Sequence, residues 1–329
     1  MRWLRADAAA LCVAALAPAP LAAQALPPSP SLESLVVRLT AMSAVTGFED
    51  AMADSLLALL PGSTRDRAGN VVLSRGSGEP VRVALCPMDE VGYVVGAVTP
   101  EGYLTLRRVG STAVGPLYDQ FLEGQRVTVF GRRGAVPGMV GVRSTHLTRG
   151  RPAGDDAPFA LDHAYVDVGA TSPGGVTTLG IEVLAPVTRA KAPQRYGAGG
   201  RLLAAPWAAQ RAACAALLSA ARGTTPAGGT AVVVFTARRH FNQDGAAFAL
   251  WERADATAGQ IVLLGNGAGE ALGSGPVTTA DSLNAGRSRR GVQLWSLPAR
   301  FARTPVETVL LSDVRQLEYR LASWLGGAR

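Results

Sequence analysis

The segment from Cys86 to Tyr93 carries the densest group of side chains that could do chemistry in this chain of 329 residues. It places Asp89 and Glu90 just after the apolar run Val81–Leu85, which predicts a buried strand. Carboxylates at a strand end can act as general bases or as metal ligands. The chain has only three histidines, so a metal centre built on imidazoles would have few ligands.

Motifs for other kinds of catalysis are absent from the sequence. It contains no Gly-x-Ser-x-Gly elbow, Cys-x-x-Cys pair or Walker loop, and the glycine-rich run 265–269 predicts a loop. Asp155 and Asp156 lie in a Pro/Gly-rich stretch, which favours an exposed loop over paired catalytic carboxylates. The net charge is +7, but the arginines are scattered and Lys191 is the only lysine, so no nucleic-acid partner is expected.

The N-terminus has the pattern of a cleaved export signal. Arg2 and Arg5 precede the apolar run Ala8–Ala17, and an Ala-Gln-Ala sequence ending at Ala25 offers a cleavage site. The apolar run is shorter than the ~20 residues that span a bilayer. We therefore expect removal of residues 1–25 and a secreted or periplasmic protein with no membrane segment. An uncleaved anchor in the membrane interface is the alternative.

Two cysteines, Cys86 and Cys214, remain after the predicted cleavage. An oxidising compartment permits a bridge between them, but so few cysteines in a chain of this size do not form a disulfide framework. We therefore expect two buried free thiols, with a bridge as the alternative.

Alternating helical and strand patterns predict an α/β sheet with an inserted β domain. Apolar residues recur at helical spacing between Ser34 and Leu60, in Trp207–Ala221, and in a final helix from about Asp313 to Leu325. Short β-runs cut by glycines between Val91 and Val187 predict a small barrel or sandwich. Further strand-like runs are Asn70–Leu73, Ala231–Phe235, Ile261–Leu264 and Val292–Trp295.

Six motifs, in the right order, resemble the tetrahedral-shell aminopeptidase family, which includes glutamyl and deblocking aminopeptidases and proteins once called endoglucanase M. Cys86–Tyr93 resembles the family's His-x-Asp-Glu-Val-Gly strand end. The other matching segments are Thr46–Glu49, Asp66–Val71, Gly138–Gly141 with the downstream His146, Val166–Ala170, and Arg300–Glu307.

This resemblance implies a zinc-exopeptidase-like α/β fold of the phosphorylase/hydrolase type, a sandwich of helices around a mixed sheet. It also implies a peptidase-like domain made of residues 26–92 and 189–329. A small β-barrel domain, residues 93–188, is inserted between these two parts. Members of the family assemble through this barrel, so the resemblance implies a homo-oligomer.

The family binds two zinc or cobalt ions, but the matching positions of this chain carry other residues. Pro87 stands at the first metal histidine, Ala205 at the bridging aspartate and Gly265 at a further aspartate. Arg238 and Arg239 stand at the glutamates that supply the general base and a ligand, and Arg303 stands at the last histidine. Asp89, which orients the first metal histidine in the family, is retained. We therefore predict no metal and no other cofactor.

The three histidines do not rebuild this site. His146 matches a family histidine that is not a ligand, His163 lies in a polar loop, and His240 follows two arginines that would repel a cation. We expect structural or solvated roles for all three. Asp89, without its histidine, is expected to accept hydrogen bonds at the strand end or to pair with an arginine.

These departures predict an exported aminopeptidase homologue that has lost catalysis and acts by binding or scaffolding. Arg238, Arg239 and Arg303 would place positive charge in the cleft, partly neutralised by Asp89 or Glu90. Such a cleft is either closed by arginine–carboxylate pairs or binds an anionic group such as a peptide terminus. The alternative is that the sequence of the cleft has drifted after the loss of function, and that these arginines are simply exposed on the surface. An active zinc or cobalt aminopeptidase with displaced ligands is the alternative function; for a metal-free hydrolase we find no residues.

Overall fold

The computed structural model describes residues 30–110, 118–141, 159–253, 260–265, 271–285 and 288–327, without the side chains of residues 284, 285 and 288–290. The predicted signal, His146, Asp155 and Asp156, and most of the glycine-rich run after Gly265 lie outside these ranges. The helices are α1 (Leu32–Ala41), α2 (Asp50–Leu59), α3 (Pro173–Thr178), α4 (Ala208–Gly223), α5 (Asp244–Trp251) and α6 (Leu311–Gly326).

The strands belong to a central sheet, a barrel and a small third sheet. In chain order they are β1 (Thr64–Arg65), β2 (Val71–Ser77), β3 (Val81–Pro87), β4 (Gly92–Val98), β5 (Leu104–Val109), β6 (Arg126–Gly131), β7 (Gly134–Val140), β8 (Tyr165–Asp167), β9 (Pro186–Arg189), β10 (Gln194–Tyr196), β11 (Leu202–Ala204), β12 (Gly229–Thr236), β13 (Gln260–Gly265), β14 (Val277–Ala285), β15 (Ser288–Ser296) and β16 (Thr308–Leu310).

The central sheet is mixed and has the order β1-β2-β12-β3-β13-β15-β14. Its four middle strands, β12, β3, β13 and β15, run parallel, and antiparallel strands flank them on both sides. Of the middle strands, β3, β12 and β13 are mainly apolar runs because both faces of the sheet are covered. The parallel arrangement brings the carboxyl ends of β3, β12 and β13 to one edge of the sheet.

Alternate residues of each middle strand enter two different cores. In β3, Ala84 and Cys86 face the core shared with α1, α2, α4 and α6, whereas Val83 and Leu85 face the core on the side of α5. The alanines of α4 are buried along almost its whole length, so this helix packs closely on the sheet. The predicted α/β sandwich of helices around a mixed sheet is confirmed.

Six strands form a closed barrel in the order β4-β5-β8-β7-β6-β9. Its interior is filled by a separate apolar core that includes Tyr93, Leu104, Val127 and Val187. The barrel strands lie between Gly92 and Arg189, close to the bounds of the predicted insertion, residues 93–188. The exact domain boundaries stay a prediction. In the described part of the chain, no helix is both long and apolar enough to cross a bilayer.

Candidate functional site

The carboxyl edge of the central sheet brings together several of the positions singled out in the sequence. Pro87 ends β3 and pairs with Thr236 at the end of β12, so Pro87 lies beside the arginine pair that follows β12. The Pro87 carbonyl accepts a hydrogen bond from Nε2 of Gln210 at 2.6 Å, and Oε1 of Gln210 accepts one from Arg239 at 2.9 Å. A single side chain of α4 thus connects the end of β3 to Arg239.

Asp89 is fully buried at this edge. Its carboxylate accepts a hydrogen bond from the His240 backbone N–H at 3.2 Å, as expected for a strand-end acceptor. Burial, together with the nearby Glu49 carboxylate, raises the pKa of Asp89 to about 6, while Thr46, the His240 amide and Arg239 partly oppose this. Asp89 therefore titrates just below neutral pH.

Arg239 and Arg303 are close enough for their charges to repel each other. Burial lowers the pKa of Arg239, Asp89 raises it, and Arg303 lowers it further. Arg303 itself is exposed, and its guanidinium forms no ion pair or hydrogen bond with another described residue. The Arg239 guanidinium therefore lies within electrostatic reach of both the Asp89 carboxyl group and the Arg303 guanidinium.

Glu307 fixes the backbone around this pair of arginines. Its buried carboxylate accepts hydrogen bonds from the backbone N–H groups of Arg303 at 2.7 Å and Ala209 at 2.8 Å. The Ala205 N–H donates to the Glu307 carbonyl at 3.0 Å. Ala205 is thereby held beside Glu307, and its methyl group offers no ligand atom.

Arg238 is engaged elsewhere. Its backbone N–H donates to Oε1 of Glu49 at 2.8 Å, and its guanidinium donates to the Ala68 carbonyl at 2.6 Å. Of the three arginines predicted to act together, the structure joins only Arg239 and Arg303.

The surroundings of Gly265 are crowded, so a side chain there would have to push its neighbours aside. A Cβ atom added there would lie 2.6 Å from Cδ1 of Leu294 and 2.8 Å from Oγ of Ser296. Within the described ranges, no group of three or more His, Cys, Asp or Glu side chains is arranged to hold a metal ion. The donor set at this edge therefore does not fit a dinuclear metal centre.

His240 is buried and packs against Trp207, with 5.6 Å between the ring centres. Burial and the nearby Arg239 lower the pKa of His240 to about 4, so the ring is neutral at physiological pH. This position agrees with the structural role that the sequence predicts. His163, in contrast, is exposed next to β8.

Left-handed backbone conformations are concentrated around the same edge. Outside glycine, positive φ angles occur at Trp207 (60°), Arg238 (54°) and Arg303 (65°). Further examples among the described residues are Leu184, Asn242, Gln243 and Phe301. Non-glycine residues adopt this conformation at a cost, and such strain is frequent at functional sites.

A buried ion cluster that sequence reasoning missed lies behind the edge. The Glu90 carboxylate pairs with Lys191 and lies 3.6 Å from Nη2 of Arg211, and its Oε1 accepts a hydrogen bond from the Ala44 N–H at 3.0 Å. Arg211, on α4, also donates to the Met88 carbonyl. Burial alone would raise the pKa of Glu90, but the two cations hold it below its ordinary value. The signal available in the sequence was that the only lysine of the chain lies just after a predicted β-run.

Cys86 and Cys214 form a disulfide, so the expectation of free thiols is wrong. Cys86 on β3 and Cys214 on α4 are bonded, with their Cα atoms 5.5 Å apart. The low number of cysteines was a poor guide here, because pairing depends on the close packing of α4 on β3, which brings together residues 128 positions apart.

We expect the Asp89→Asn variant to be more stable than the parent protein at pH 7.5. The folded-state pKa of about 6 lies above the ordinary value of 3.8, so the stabilising contribution of this carboxyl is present below pH 3.8 and is lost as the pH rises through 6. Removing the buried charge should raise the free energy of unfolding by up to about 3 kcal/mol at pH 7.5.

Urea unfolding at pH 7.5 and at pH 4 measures this gain, which should vanish at the lower pH. The exposed Asp54 on α2 provides the control, since Asp54→Asn should leave stability unchanged at both pH values. A gain for Asp89→Asn that is the same at both pH values would contradict the assignment.

The closed barrel set against a mixed sheet, with the candidate site at the carboxyl edge, defines the class of barrel-bearing α/β proteins typified by shell-forming aminopeptidases. Residues 69–259, more than half of the chain, match the M42 glutamyl aminopeptidase family, and the chain belongs to this family. The resemblance found in the sequence motifs is thereby confirmed.

Individual relatives agree with this assignment. The SgcX protein of Escherichia coli K12 is 33% identical over 171 residues, which are 50% of this chain and 44% of SgcX. The chain thus matches less than half the length of this curated relative. The aminopeptidase APDkam598 of Desulfurococcus kamchatkensis has the same fold, with a TM-score of 0.77 at 18% identity over 90% of this chain and 95% of its own. The TET1 peptidase of Pyrococcus horikoshii gives 0.77 at 19%, over 90% and 100% of the two chains.

Proposed function

We propose that this member of the M42 family has lost metal-dependent peptide hydrolysis and instead binds an anionic group, such as the carboxylate of an acidic peptide, at the carboxyl edge of its sheet. One observation carries the proposal. The exposed guanidinium of Arg303, which has no partner among the described residues, lies near the partly buried Arg239 at the edge where the family binds its cations. A guanidinium group recognises a carboxylate with two parallel hydrogen bonds.

The loss of hydrolysis is supported by the side chains at this edge. The proline, alanine and glycine at positions 87, 205 and 265 bring no ligand atoms, and the fixed charges of Arg239 and Arg303 oppose cation binding. The carboxyl group of Asp89 cannot by itself hold two divalent ions, which need several carboxylates and imidazoles.

Metal content and activity test this part of the proposal. Purified protein should contain far less than one zinc or cobalt ion per chain, and added metal should produce no aminopeptidase activity. About two ions per chain, with activity that is lost on chelation, would establish the alternative of an active aminopeptidase with displaced ligands.

Calorimetry with short acidic peptides tests the binding. We expect Arg303→Ala to weaken binding roughly 10- to 100-fold, because a hydrogen-bonded charge pair contributes about 1.5–3 kcal/mol. Arg239→Ala should weaken it similarly. Arg107→Ala, which removes an exposed arginine of the barrel that pairs with Asp162, is the matched control and should bind like the parent protein. Absence of heat from the parent protein would reject ligand binding at this edge.

We also propose that the protein is exported to the periplasm or secreted. Two features support this: the signal-like pattern of residues 1–25, and the disulfide between Cys86 and Cys214, since such bonds persist mainly in oxidising compartments. Mass spectrometry of the protein from its native cell should find a chain that begins at Leu26. An intact N-terminus in the cytosolic fraction would contradict export.

A homo-oligomer formed through the barrel is the third part of the proposal. Met139 on β7 and Tyr165 on β8 leave large apolar surfaces exposed on neighbouring strands. The TET1 peptidase of Pyrococcus horikoshii assembles into a tetrahedron or a large octahedral shell. Light scattering should give a mass of at least two chains, and Met139→Lys should reduce it. A monomeric parent protein would overturn the proposal.

A further inference from the structure

A small cavity lies beside the buried ion cluster. It measures about 10 Å³, and its lining includes Glu90, Tyr118, Arg189, Lys191 and Trp207. This is about the space that one water-sized particle needs. Neither arginine of the carboxyl edge lines the cavity, so it is distinct from the candidate functional site.

Cations outnumber carboxylates around this cavity. The side chains of Arg189, Lys191 and Arg211 are buried, and among the described residues only Glu90 forms ion pairs with any of them, namely with Lys191 and Arg211. Burial lowers the pKa of Lys191, and Glu90 reverses this only in part because Arg211 and Arg189 add like charge. The cluster therefore carries an excess of buried positive charge.

Two further carboxylates near the cluster do not cancel this excess. Asp119 already pairs with Arg108 at 3.1 Å, outside the cluster. Glu307 accepts hydrogen bonds from two backbone N–H groups and forms no ion pair with another described residue, and burial raises its pKa. Burying a charge without a partner is costly, so a counter-charge inside the protein would stabilise the fold.

Two of these cations, Arg189 and Arg211, also have buried N–H groups that donate to no acceptor among the described residues. Nε of Arg189 and Nε of Arg211 have no hydrogen-bond partner among the described residues, and Arg189 lines the cavity. Arg189 donates from Nη2 to the Tyr118 carbonyl at 2.8 Å and lies over the Tyr118 ring, with 4.7 Å between its Cζ and the ring centre. A buried charged donor without an acceptor costs free energy. The cavity thus lacks an acceptor that carries negative charge.

We propose that this cavity binds a single monatomic anion, chloride in physiological solution, held by Arg189 and Lys191. The sign of the charge follows from three buried cations against one carboxylate. The volume admits about one water-sized particle, which favours a monatomic ion over phosphate or the carboxylate of a peptide. A water molecule would fit as well, but it would leave the excess positive charge uncompensated.

The only lysine of the chain gives a direct readout of this site. In protein labelled with ¹³C-lysine, Lys191 gives one Cε resonance, and titration with sodium chloride should shift it along a saturable curve. Sodium gluconate at the same ionic strength serves as the comparison, because its anion is far too large for the cavity. We expect no shift with gluconate.

Thermal unfolding and crystallography provide independent measurements. Saturating chloride should raise the melting temperature by about 3–5 °C over gluconate, because a ligand that binds only the folded state stabilises it. Lys191→Met should abolish this difference, whereas Arg132→Gln, which removes an exposed cation paired with Glu182 on the barrel, should retain it. Crystals soaked in bromide should show one anomalous peak between Arg189 and Lys191.

The parent protein alone decides the outcome if Lys191→Met does not fold. Identical melting curves and lysine shifts in chloride and gluconate, together with a cavity that takes up no bromide, would overturn the proposal and assign a water molecule to the cavity. Peptide binding at Arg303 is measured separately, so either proposal can fail without the other.

Discussion

Glu90→Gln should lower the free energy of unfolding by about 3–5 kcal/mol, since removing one partner of a buried ion pair leaves the other charge uncompensated. Here two cations, Lys191 and Arg211, lose their shared carboxylate at once. In a chain of this size the melting temperature should fall by roughly 10 °C. Thermal unfolding followed by circular dichroism measures the effect.

The pH dependence gives this prediction a second readout. The folded-state pKa of Glu90 is held below its ordinary value of 4.5, so its stabilising contribution is present above pH 4.5 and is lost as the pH falls through the folded-state pKa. The gap between parent and variant should therefore narrow in acid. Glu182→Gln breaks the exposed pair with Arg132 and is the matched control, expected to cost less than about 1 kcal/mol. Equal losses in the two variants would contradict the buried cluster.

Replacing both cysteines, in the variant Cys86→Ala/Cys214→Ala, should lower the free energy of unfolding by about 2–5 kcal/mol. The bond closes a loop across 128 positions of the sequence and restricts the unfolded chain, which favours the folded state. Urea unfolding of the chain that begins at Leu26 measures the loss.

Treatment with a reductant is the control for the destabilisation caused by replacing both cysteines. Dithiothreitol should destabilise the parent protein to nearly the level of the double variant and should leave the double variant unchanged. Without reductant, the denatured parent chain that begins at Leu26, and so lacks Cys12, should expose no reactive thiol. Two reactive thiols in that experiment would show that the bond does not form.

Continuous apolar runs made the core strands predictable. Val81–Leu85 and Ala231–Phe235 became neighbouring parallel strands, because a strand buried on both faces has apolar residues at every position. The edge strand β14 and the helix α5 were missed. β14 contains Thr278, Asp281 and Ser282 and resembles a loop in composition, whereas the apolar residues of α5 show little helical periodicity. Tertiary contacts decide the structure of both elements.

The order of the sequence motifs indicated which residues belong to the candidate site, but it did not indicate the contacts that these residues make. The family resemblance placed Asp89, Arg239 and Arg303 in one cleft, and in the structure the charges of Asp89 and Arg303 both act on Arg239. It gave no indication that Arg238 would turn to the Ala68 carbonyl, because that contact depends on the left-handed backbone at Arg238. The role of Arg211 was also hidden, since an arginine in an alanine-rich helix is usually exposed.

The crowding around Gly265 affects how a carboxylate could be introduced at this position. A substitution such as Gly265→Asp meets Leu294 and Ser296 before its carboxylate can reach the carboxyl edge. An aspartate at this position therefore requires the ends of these two side chains to rotate aside, which a smaller residue at position 294 would make easier. Directed evolution toward a carboxylate at this edge should therefore vary position 294 together with position 265 instead of position 265 alone.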